Sequence, residues 1–334
     1  MDMKTQDQLP GPRYLLPREA YLSQAWFDRE QELLFGKVWT WIGFETDCAA
    51  RGQYVTGQAG PHPFFVLRGE NNELRAFYNI CRHRGAMLLE GKGTIERAIT
   101  CFYHRWTYAL DGALRAVPQQ ANFPCLDKGK LGLRPAACAT WNGMVFVHPD
   151  EHPQVSLDDW IGEFAKAHGP WNPAELQLTT FQTHEVKANW KLYLENHIDG
   201  LHLLHLHSRS IEGLDHSKQT WRFAGPHYTF KEPRSSSEVL PERAKKGSPM
   251  LPLIPSVQAE HQGSTVHMMF PNVGLAGGAS YYAAFRVVPL APDHSRVETW
   301  VFTAPLGLKD LARNPRFVWQ ALRGPNNQDR KSVV

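Results

Sequence analysis

Hydrophobic and polar positions recur along the chain with two different periods, and the change of period divides it into parts. In residues 19–37, Trp26, Leu33 and Leu34 stand at helical spacing among charged residues, which predicts a helix. From about residue 39 to 150, short apolar runs are separated by Gly, Pro and Asn-Asn, a pattern typical of short antiparallel strands joined by turns. The dipeptide Asp111-Gly112, between WTYAL and ALRAV, predicts a hairpin.

The second half of the chain mixes helical and strand patterns. A polar, proline-containing segment at 150–160 predicts a seam between domains, and it is followed by a short helix (159–168) and a strand (176–188). The next helix opens at Asn189, a good N-cap residue. Three strands at 264–270, 280–290 and 295–306 predict an antiparallel meander, whereas 232–249 resembles a surface loop and the chain from Leu308 resembles a helix.

Length, charge and cysteine usage exclude several classes of protein. A chain of 334 residues is long enough for two domains, and its net charge of +3 is too small to indicate a nucleic-acid partner. There is no run of 18 apolar residues and no apolar stretch behind a basic start, so we expect a cytoplasmic protein without membrane association. Five cysteines, an odd number, argue against a disulfide framework and leave metal or redox chemistry open.

Two cysteine–histidine pairs lie within the strand-rich region. Cys81-x-His83 and Cys101-x2-His104 together offer two thiolates and two imidazoles, which suit either a tetrahedral zinc ion or a [2Fe–2S] cluster with mixed ligands. Zinc fingers usually place like ligands together, whereas here each half carries one ligand of each type. If each loop gives its cysteine to one iron and its histidine to the other, the mixed ligation of a Rieske centre results.

The segment DGLHLLHLH, Asp199 to His207, concentrates further metal-binding groups on the predicted helix. On a regular helix Asp199 and His202 share one face and His205 continues it, whereas His207 points about 140° away from His202. A metal shared by His202 and His207 therefore requires the helix to bend, bulge or end, and His202 with His205 is the simpler regular pair. The alternative is an amphipathic helix with polar histidines on its exposed side.

The residues around both clusters resemble those of a known family. CRHRGA and YHRW resemble the Rieske-type ferredoxin domain, although Phe102 and Arg105 stand where many members carry proline and glycine. The string NWK…EN…D-x2-H-x4-H resembles the signature of the Rieske non-haem iron ring-hydroxylating oxygenases, in their catalytic α-subunit form. The resemblance implies an α+β fold in which a β-rich Rieske [2Fe–2S] domain, residues 39–155, is inserted into a helix-grip catalytic domain, residues 1–38 and 156–334.

The same resemblance implies a set of ligands. The cluster ligands would be Cys81, His83, Cys101 and His104. His202 and His207 would hold a mononuclear Fe(II), with His197 and His205 as bystanders. The facial triad needs one carboxylate more, and the C-terminal NNQDRKSVV nominates Asp329 for it. On sequence alone the rivals are Asp215, Glu260 and Asp310.

Asp199 would be the acidic bridge between His202 and a Rieske histidine of the neighbouring subunit in a head-to-tail homotrimer, and a small β subunit is compatible with this. The sequence contains no Gly-x-Gly-x-x-Gly and no P-loop, so electrons would come from a flavin reductase, with or without a ferredoxin. The implied activity is hydroxylation, by mono- or dioxygenation, of an aromatic or similarly hydrophobic small molecule, because relatives acting on quaternary ammonium compounds usually carry glutamate at the bridge.

The sequence is also compatible with two alternatives. One is an oxidative N- or O-demethylase of the same family. The other, from a different class, is an Fe–S electron carrier or a zinc-stabilised binding protein in which the histidines of the helix have no ligand role.

Overall fold

The computed structural model describes residues 16–206, 214–234, 251–258, 261 and 263–307. The chain divides into two compact units, and Asp28–Trp160 forms one of them. The other unit comprises Met1–Phe27 and Ile161–Val334, so the first unit interrupts the second along the chain. Most of the loop predicted at 232–249 and the helix predicted from Leu308 lie outside the described residues.

The described helices are short and the strands numerous. The helices are α1 (Glu19–Leu22), α2 (Gln24–Glu30), α3 (Leu157–Ile161), α4 (Phe164–His168), α5 (Trp190–Ile198) and α6 (Leu203–Leu206). The strands are β1 (Thr40–Phe44), β2 (Gln53–Ala59), β3 (His62–Arg68), β4 (Leu74–Tyr78), β5 (Lys92–Thr94), β6 (Ile99–Thr100), β7 (Thr107–Tyr108), β8 (Leu114–Ala116), β9 (Pro135–Trp141), β10 (Met144–His148), β11 (Gln177–Val186), β12 (Thr220–Ala224), β13 (His227–Glu232), β14 (Ser264–Met269), β15 (Val273–Gly277), β16 (Tyr282–Ala291) and β17 (His294–Thr303). None of these helices has the length and apolar character that crossing a membrane requires.

The N-terminal helix predicted over 19–37 is present in three pieces. Ser23 is extended between α1 and α2, and a π-helical turn, Gln31–Phe35, continues α2. A hydrogen bond from the Ser23 backbone N–H to Glu19 closes the first piece. The prediction of helix is therefore correct, but the spacing of the apolar residues did not indicate the breaks within it.

Strands β1–β10 form two antiparallel sheets in the inserted unit. The larger has the strand order β1-β10-β9-β4-β3-β2-β5, and the smaller has the order β6-β7-β8. The hairpin predicted at Asp111-Gly112 joins β7 to β8, where Ala113 N–H donates to the Asp111 carboxylate at 2.9 Å. Gly112 has φ +84°, and a Cβ there would lie 2.5 Å from the Phe77 ring, so the turn requires glycine.

The second unit is built on one seven-stranded antiparallel sheet with the order β11-β17-β16-β15-β14-β13-β12. The strands predicted at 176–188, 264–270, 280–290 and 295–306 are confirmed as β11, β14, β16 and β17, but β15 lies between β14 and β16 in the meander. Three further strands, β12, β13 and β15, were not predicted. β15 reads VGLAG and β12 is largely exposed, so neither shows the apolar alternation that marks a half-buried strand.

The two faces of this sheet meet different helices. Tyr228, Met268, Gly274 and Phe285 lie side by side across four strands. Phe285 from this row packs on α5 through Tyr193, with ring centroids 5.4 Å apart. Because neighbouring residues of a strand point to opposite faces, the next row faces the other way, towards α4.

On the α4 side, imidazole rings form part of the core. His267 and His227 lie 5.3 and 5.1 Å from the Phe164 ring of α4. His168 shares a 2.9 Å hydrogen bond with the Tyr282 hydroxyl, and the His168 carbonyl lies 3.1 Å from Nε2 of His267. Burial lowers the pKa of His168 to about 4, so this histidine is neutral in the folded protein at neutral pH.

We predict that His168 makes the unit sensitive to acid. An unfolded histidine has a pKa of about 6.5, so between that pH and about pH 4 the unfolded chain binds one proton more than the folded chain. The free energy of unfolding should therefore fall as pH drops through this window, by up to about 3 kcal/mol from this one group. Melting temperatures measured at successive pH values should show a shallower acid slope for His168→Gln than for wild type. The exposed His152→Gln is the matched control, and equal slopes in all three proteins would contradict the assignment.

Candidate metal centres

Two loops of the inserted unit carry the cysteine–histidine pairs, and their backbones follow the same path. In the first loop Cys81 accepts a hydrogen bond from Gly85 N–H at 3.0 Å and donates its own N–H to Ala86 at 2.8 Å. In the second loop Cys101 makes the same two bonds, with Arg105 at 3.0 Å and Trp106 at 2.9 Å. The two cysteines are therefore held by equivalent turns.

Both turns need a left-handed residue at the same place. Gly85 has φ +70° and Arg105 has φ +57°. For a residue other than glycine, this left-handed conformation costs roughly 1–2 kcal/mol of conformational free energy. Arg105 adopts this conformation despite its side chain, so the second turn holds Cys101 with the same backbone path as the first holds Cys81.

The four predicted cluster residues come together at the tips of these turns. Cys81 and Cys101 are buried, and both are free of disulfides. The rings of His83 and His104 have centroids 4.6 Å apart. Nδ1 of His83 is buried without a hydrogen-bond partner among the described residues. Burial raises the pKa of the Cys81 thiol, so a thiolate there requires a compensating positive charge, which a metal provides.

The residue types at these tips suit a two-iron cluster. A [2Fe–2S] cluster takes two protein ligands for each iron, and in Rieske centres two are cysteines and two are histidines. Two buried cysteines and two paired imidazoles supply that set.

Tyr108 is a further residue of this site that the sequence pattern did not single out. Its hydroxyl accepts the Arg82 backbone N–H at 3.1 Å and lies 3.3 Å from Sγ of Cys81. Because burial raises the pKa of Tyr108, the phenol keeps its proton and can donate it to the cysteine sulfur. Because 27 residues separate Tyr108 from Cys81, only the folded structure brings them together.

The second candidate centre begins with helix α5, whose predicted N-cap is confirmed. The Asn189 side chain accepts the Lys191 N–H at 3.1 Å, and its amide donates to the carbonyls of Tyr21 (3.1 Å) and Pro292 (2.7 Å). Further along α5, Nε2 of His197 lies 3.2 Å from the carbonyl of His267 in β14. These contacts hold α5 in place, and His197 contributes to this through its contact with the His267 carbonyl of the sheet.

Up to Leu206, where the described residues end, the segment predicted as one helix is two helices. α5 ends at Ile198, Asp199 is extended (φ −78°, ψ 99°), and α6 begins at Leu203. Oδ1 of Asp199 accepts the Leu201 N–H at 2.9 Å, and Oδ2 lies 3.4 Å from Nδ1 of His202. The predicted neighbourhood of Asp199 and His202 is present, but a turn produces it rather than a regular helix.

A carboxylate at Nδ1 is the usual means by which a protein orients a metal-binding histidine through its other nitrogen. Burial and then the negative charge of Asp199 raise the pKa of the Tyr228 phenol to about 12. His202 and Asp199 therefore have the surroundings expected of a ligand and its supporting group.

The other nominated residues divide into two groups. His207 and Asp329 lie outside the described residues, as do the rivals Glu260 and Asp310. Asp215 lies within the described residues. Its carboxylate accepts from the Ser217 N–H and pairs with Lys218 at 3.0 Å, so it caps the 3-10 turn that follows. His205 is exposed on α6.

Comparisons with known proteins match both parts of the chain. Residues 38–127 match the family model of the Rieske [2Fe-2S] domain, and residues 173–333 match that of the ring hydroxylating alpha subunit (catalytic domain). The chain belongs to the Rieske non-haem iron ring-hydroxylating oxygenases. The predicted α+β fold and the predicted pair of cofactors, a [2Fe–2S] cluster and a mononuclear iron, are those of this family.

Individual relatives of this Rieske protein act on different substrates. It is 32% identical to the carnitine monooxygenase oxygenase subunit of Acinetobacter pittii over 58% of this chain and 52% of the relative. It is also 32% identical to the anthranilate 1,2-dioxygenase large subunit of Acinetobacter baylyi, over 62% of this chain and 45% of the relative. The chain thus spans about half the length of the curated relatives it matches.

Solved structures show the same fold. A quaternary ammonium Rieske monooxygenase superposes with a TM-score of 0.77 at 22% identity, covering 95% of this chain and 83% of the other. Naphthalene 1,2-dioxygenase from Rhodococcus sp. superposes with a TM-score of 0.76 at 22% identity, covering 95% and 80%.

We predict that Tyr108→Phe lowers the reduction potential of the Rieske cluster. Hydrogen bonds to the cluster sulfurs stabilise the extra electron of the reduced state. Loss of one bond, worth about 1 kcal/mol, corresponds to roughly 40 mV for a one-electron couple. The measurement is a dithionite titration followed by visible absorbance, with the exposed Tyr103→Phe as control. An unchanged potential in Tyr108→Phe would show that the phenol does not donate to the sulfur.

Proposed function

We propose that the chain is the oxygenase component of a multicomponent Rieske system, which uses O2 and external electrons to hydroxylate a small hydrophobic molecule. One observation carries this proposal: two Cys–His turns and an Asp199–His202 pair occur in one chain whose two parts match the Rieske and the ring-hydroxylating catalytic families. An Fe–S electron carrier would need only the first part, and a zinc-stabilised binding protein neither.

The proposed ligands follow the predicted set. Cys81, His83, Cys101 and His104 would hold the cluster. His202, His207 and Asp329 would hold the mononuclear iron as two histidines and one carboxylate. When bound, the cluster supplies single electrons and the mononuclear iron supplies the activation of O2.

Asp199 is proposed as the group that connects the two centres. One of its oxygens is used within the turn and the other faces His202, while the side chain is still 47% exposed in the single chain. A partly exposed carboxylate can accept a hydrogen bond from a second copy, and His104 of a neighbouring copy in a homotrimer would be the donor. Asp199 thereby holds His202 in orientation and offers a short polar path between the centres.

Electrons are proposed to arrive from a separate flavin reductase, with or without a ferredoxin, at the tips of the Cys–His turns. Arg82, Arg84 and Arg105 are exposed there, and Phe102 is 70% exposed beside them. Exposed arginines around an apolar centre favour an acidic redox partner, and they steer its approach electrostatically.

The substrate is proposed to be aromatic or similarly apolar. The face of the sheet that meets the end of α5 and α6 presents Tyr228, Phe230, Val266 and Met268, packed with Ile198 and Leu203. Aromatic and aliphatic side chains of this kind line pockets for apolar ligands. Asp199, rather than the glutamate usual in relatives acting on quaternary ammonium compounds, supports the same choice.

The second candidate is oxidative demethylation of a quaternary ammonium compound. It is favoured by the carnitine and glycine betaine monooxygenase subunits among the relatives, of which the latter, from Pseudomonas aeruginosa, is 31% identical over 60% of this chain. Aromatic rings bind quaternary ammonium groups through cation–π attraction, so the same apolar face is compatible with this class.

The experiment that separates the two is oxygen consumption by the iron-loaded protein with a surrogate reductase. Aromatic acids, neutral arenes and methylated amines should be supplied in turn, with product analysis. Hydroxylated arenes support the first candidate, and formaldehyde together with the amine that has lost one methyl group supports the second. Consumption of O2 with no product from any of them would contradict the proposed function.

We predict that Asp199→Asn retains both iron centres but loses most substrate turnover, since asparagine has the size of aspartate without its charge. Rapid mixing with reductant should show that the cluster is still reduced while substrate oxidation falls at least about tenfold, the scale on which supporting residues of metal ligands act. Asp215→Asn, which alters a helix cap in the same unit, is the control. Wild-type turnover by Asp199→Asn would remove Asp199 from the mechanism.

A further inference from the structure

A buried carboxylate that is not one of the nominated ligands lies on the sheet of the catalytic unit. The Glu232 side chain, at the end of β13, is 0% exposed, and its Oε1 accepts from Nδ1 of His216 at 2.6 Å. The same Oε1 accepts from the side-chain amide of Gln219. Oε2 is buried without a hydrogen-bond partner among the described residues. A carboxylate taken out of water with half of its acceptors unused is costly, so its retention calls for a reason.

The Gln219 amide connects this carboxylate to the turn between α5 and α6. Nε2 of Gln219, which donates to Glu232, also lies 3.4 Å from the carbonyl of Gly200. A Cβ added to Gly200 would lie 2.7 Å from the same nitrogen. The amide therefore packs directly on the backbone of Gly200, the residue that follows Asp199 and precedes the turn to His202.

The turn receives little support from its own backbone. Within it, Asp199 N–H donates to Glu195, and the Asp199 carboxylate accepts from Leu201. By contrast, Gln219 is attached to a hairpin, because Thr220 of β12 pairs with Lys231 of β13, the neighbour of Glu232. The Gln219 amide, which contacts Glu232 of the sheet and the Gly200 carbonyl, thus connects the turn to the sheet.

We propose that Gln219, held in place by Glu232 and His216, is a positioning residue for the second metal centre. It fixes the Gly200 peptide, and through it the directions in which Asp199 and His202 point. The inference rests on the proposed function, and it adds a residue to the site that no sequence motif includes.

The test compares the iron affinity of the variants with that of wild type. In Gln219→Leu the size of the side chain is kept and both donors are lost. We expect apo protein with an intact cluster to bind Fe(II) about tenfold more weakly, the lower end of the range for residues that support metal ligands. We also expect less product per O2 consumed. The visible spectrum of the cluster should be unchanged in Gln219→Leu. The control is Thr220→Val, at the next position in the chain, in which Fe(II) affinity and product per O2 consumed should both equal those of wild type.

A second pair of variants separates positioning from general destabilisation. Gly200→Ala pushes on the Gln219 amide and should weaken Fe(II) binding in the wild-type background. In the Gln219→Ala background the amide is gone, so the same substitution should have no additional effect on Fe(II) affinity. Additive losses, or wild-type affinity and coupling in Gln219→Leu, would overturn the proposal, as would a loss of Fe(II) that only follows a fall in melting temperature. Wild-type protein that binds no iron beyond its cluster would overturn instead the proposed function, and this inference with it.

Discussion

The carboxylate of Asp199 competes with the backbone of its own helix, and the second metal centre depends on the outcome. Its Oδ1 takes the Leu201 N–H, so α5 ends at Ile198 and α6 starts only at Leu203. This break lies before His202, because the His202 carbonyl accepts from the Leu206 N–H at 2.8 Å in α6. The bend that a metal shared by His202 and His207 requires is therefore not found between His202 and Leu206. Oδ2 of Asp199 lies 3.4 Å from Nδ1 of His202. One side chain therefore ends the helix and also lies beside the histidine that follows.

The two centres obtain their rigidity in different ways. The Cys–His turns repeat one pattern of backbone hydrogen bonds, with a left-handed residue at the same position in each, and they lie over a buried core containing Cys81, Cys101 and Tyr108. The Asp199 turn has fewer bonds of its own. It is held at one end by α5, which Asn189 and His197 fix to its surroundings, and we propose that Gln219 supports it from the sheet.

The sequence was sufficient for features that depend on neighbouring residues. The hairpin at Asp111-Gly112, the N-cap at Asn189 and the strands β11, β14, β16 and β17 follow from local turn chemistry and apolar alternation, and all are present. The Cys–His pairs and the Asp-x2-His string identified the family, because each motif places several ligands within a few residues. His207 and Asp329 remain predictions.

What the sequence could not provide depends on pairing across long separations or on competition between weak local preferences. The break at Asp199 is decided by one side-chain hydrogen bond within an otherwise helical pattern. Tyr108 reaches Cys81, and Gln219 reaches both Glu232 and Gly200, only after strands have paired. Buried Glu232 and His168 look like ordinary surface residues when only composition is considered.

The presence of two distinct iron centres is tested most directly by measuring iron and acid-labile sulfide in the fully loaded chain, before and after treatment with a ferrous chelator. Two irons and two sulfides belong to the cluster and one iron to the separate site, so we predict a ratio of three to two. The chelator should remove one iron and leave the visible spectrum unchanged. A loaded protein with equal iron and sulfide, or with zinc bound by the cysteines, would contradict the presence of two distinct iron centres.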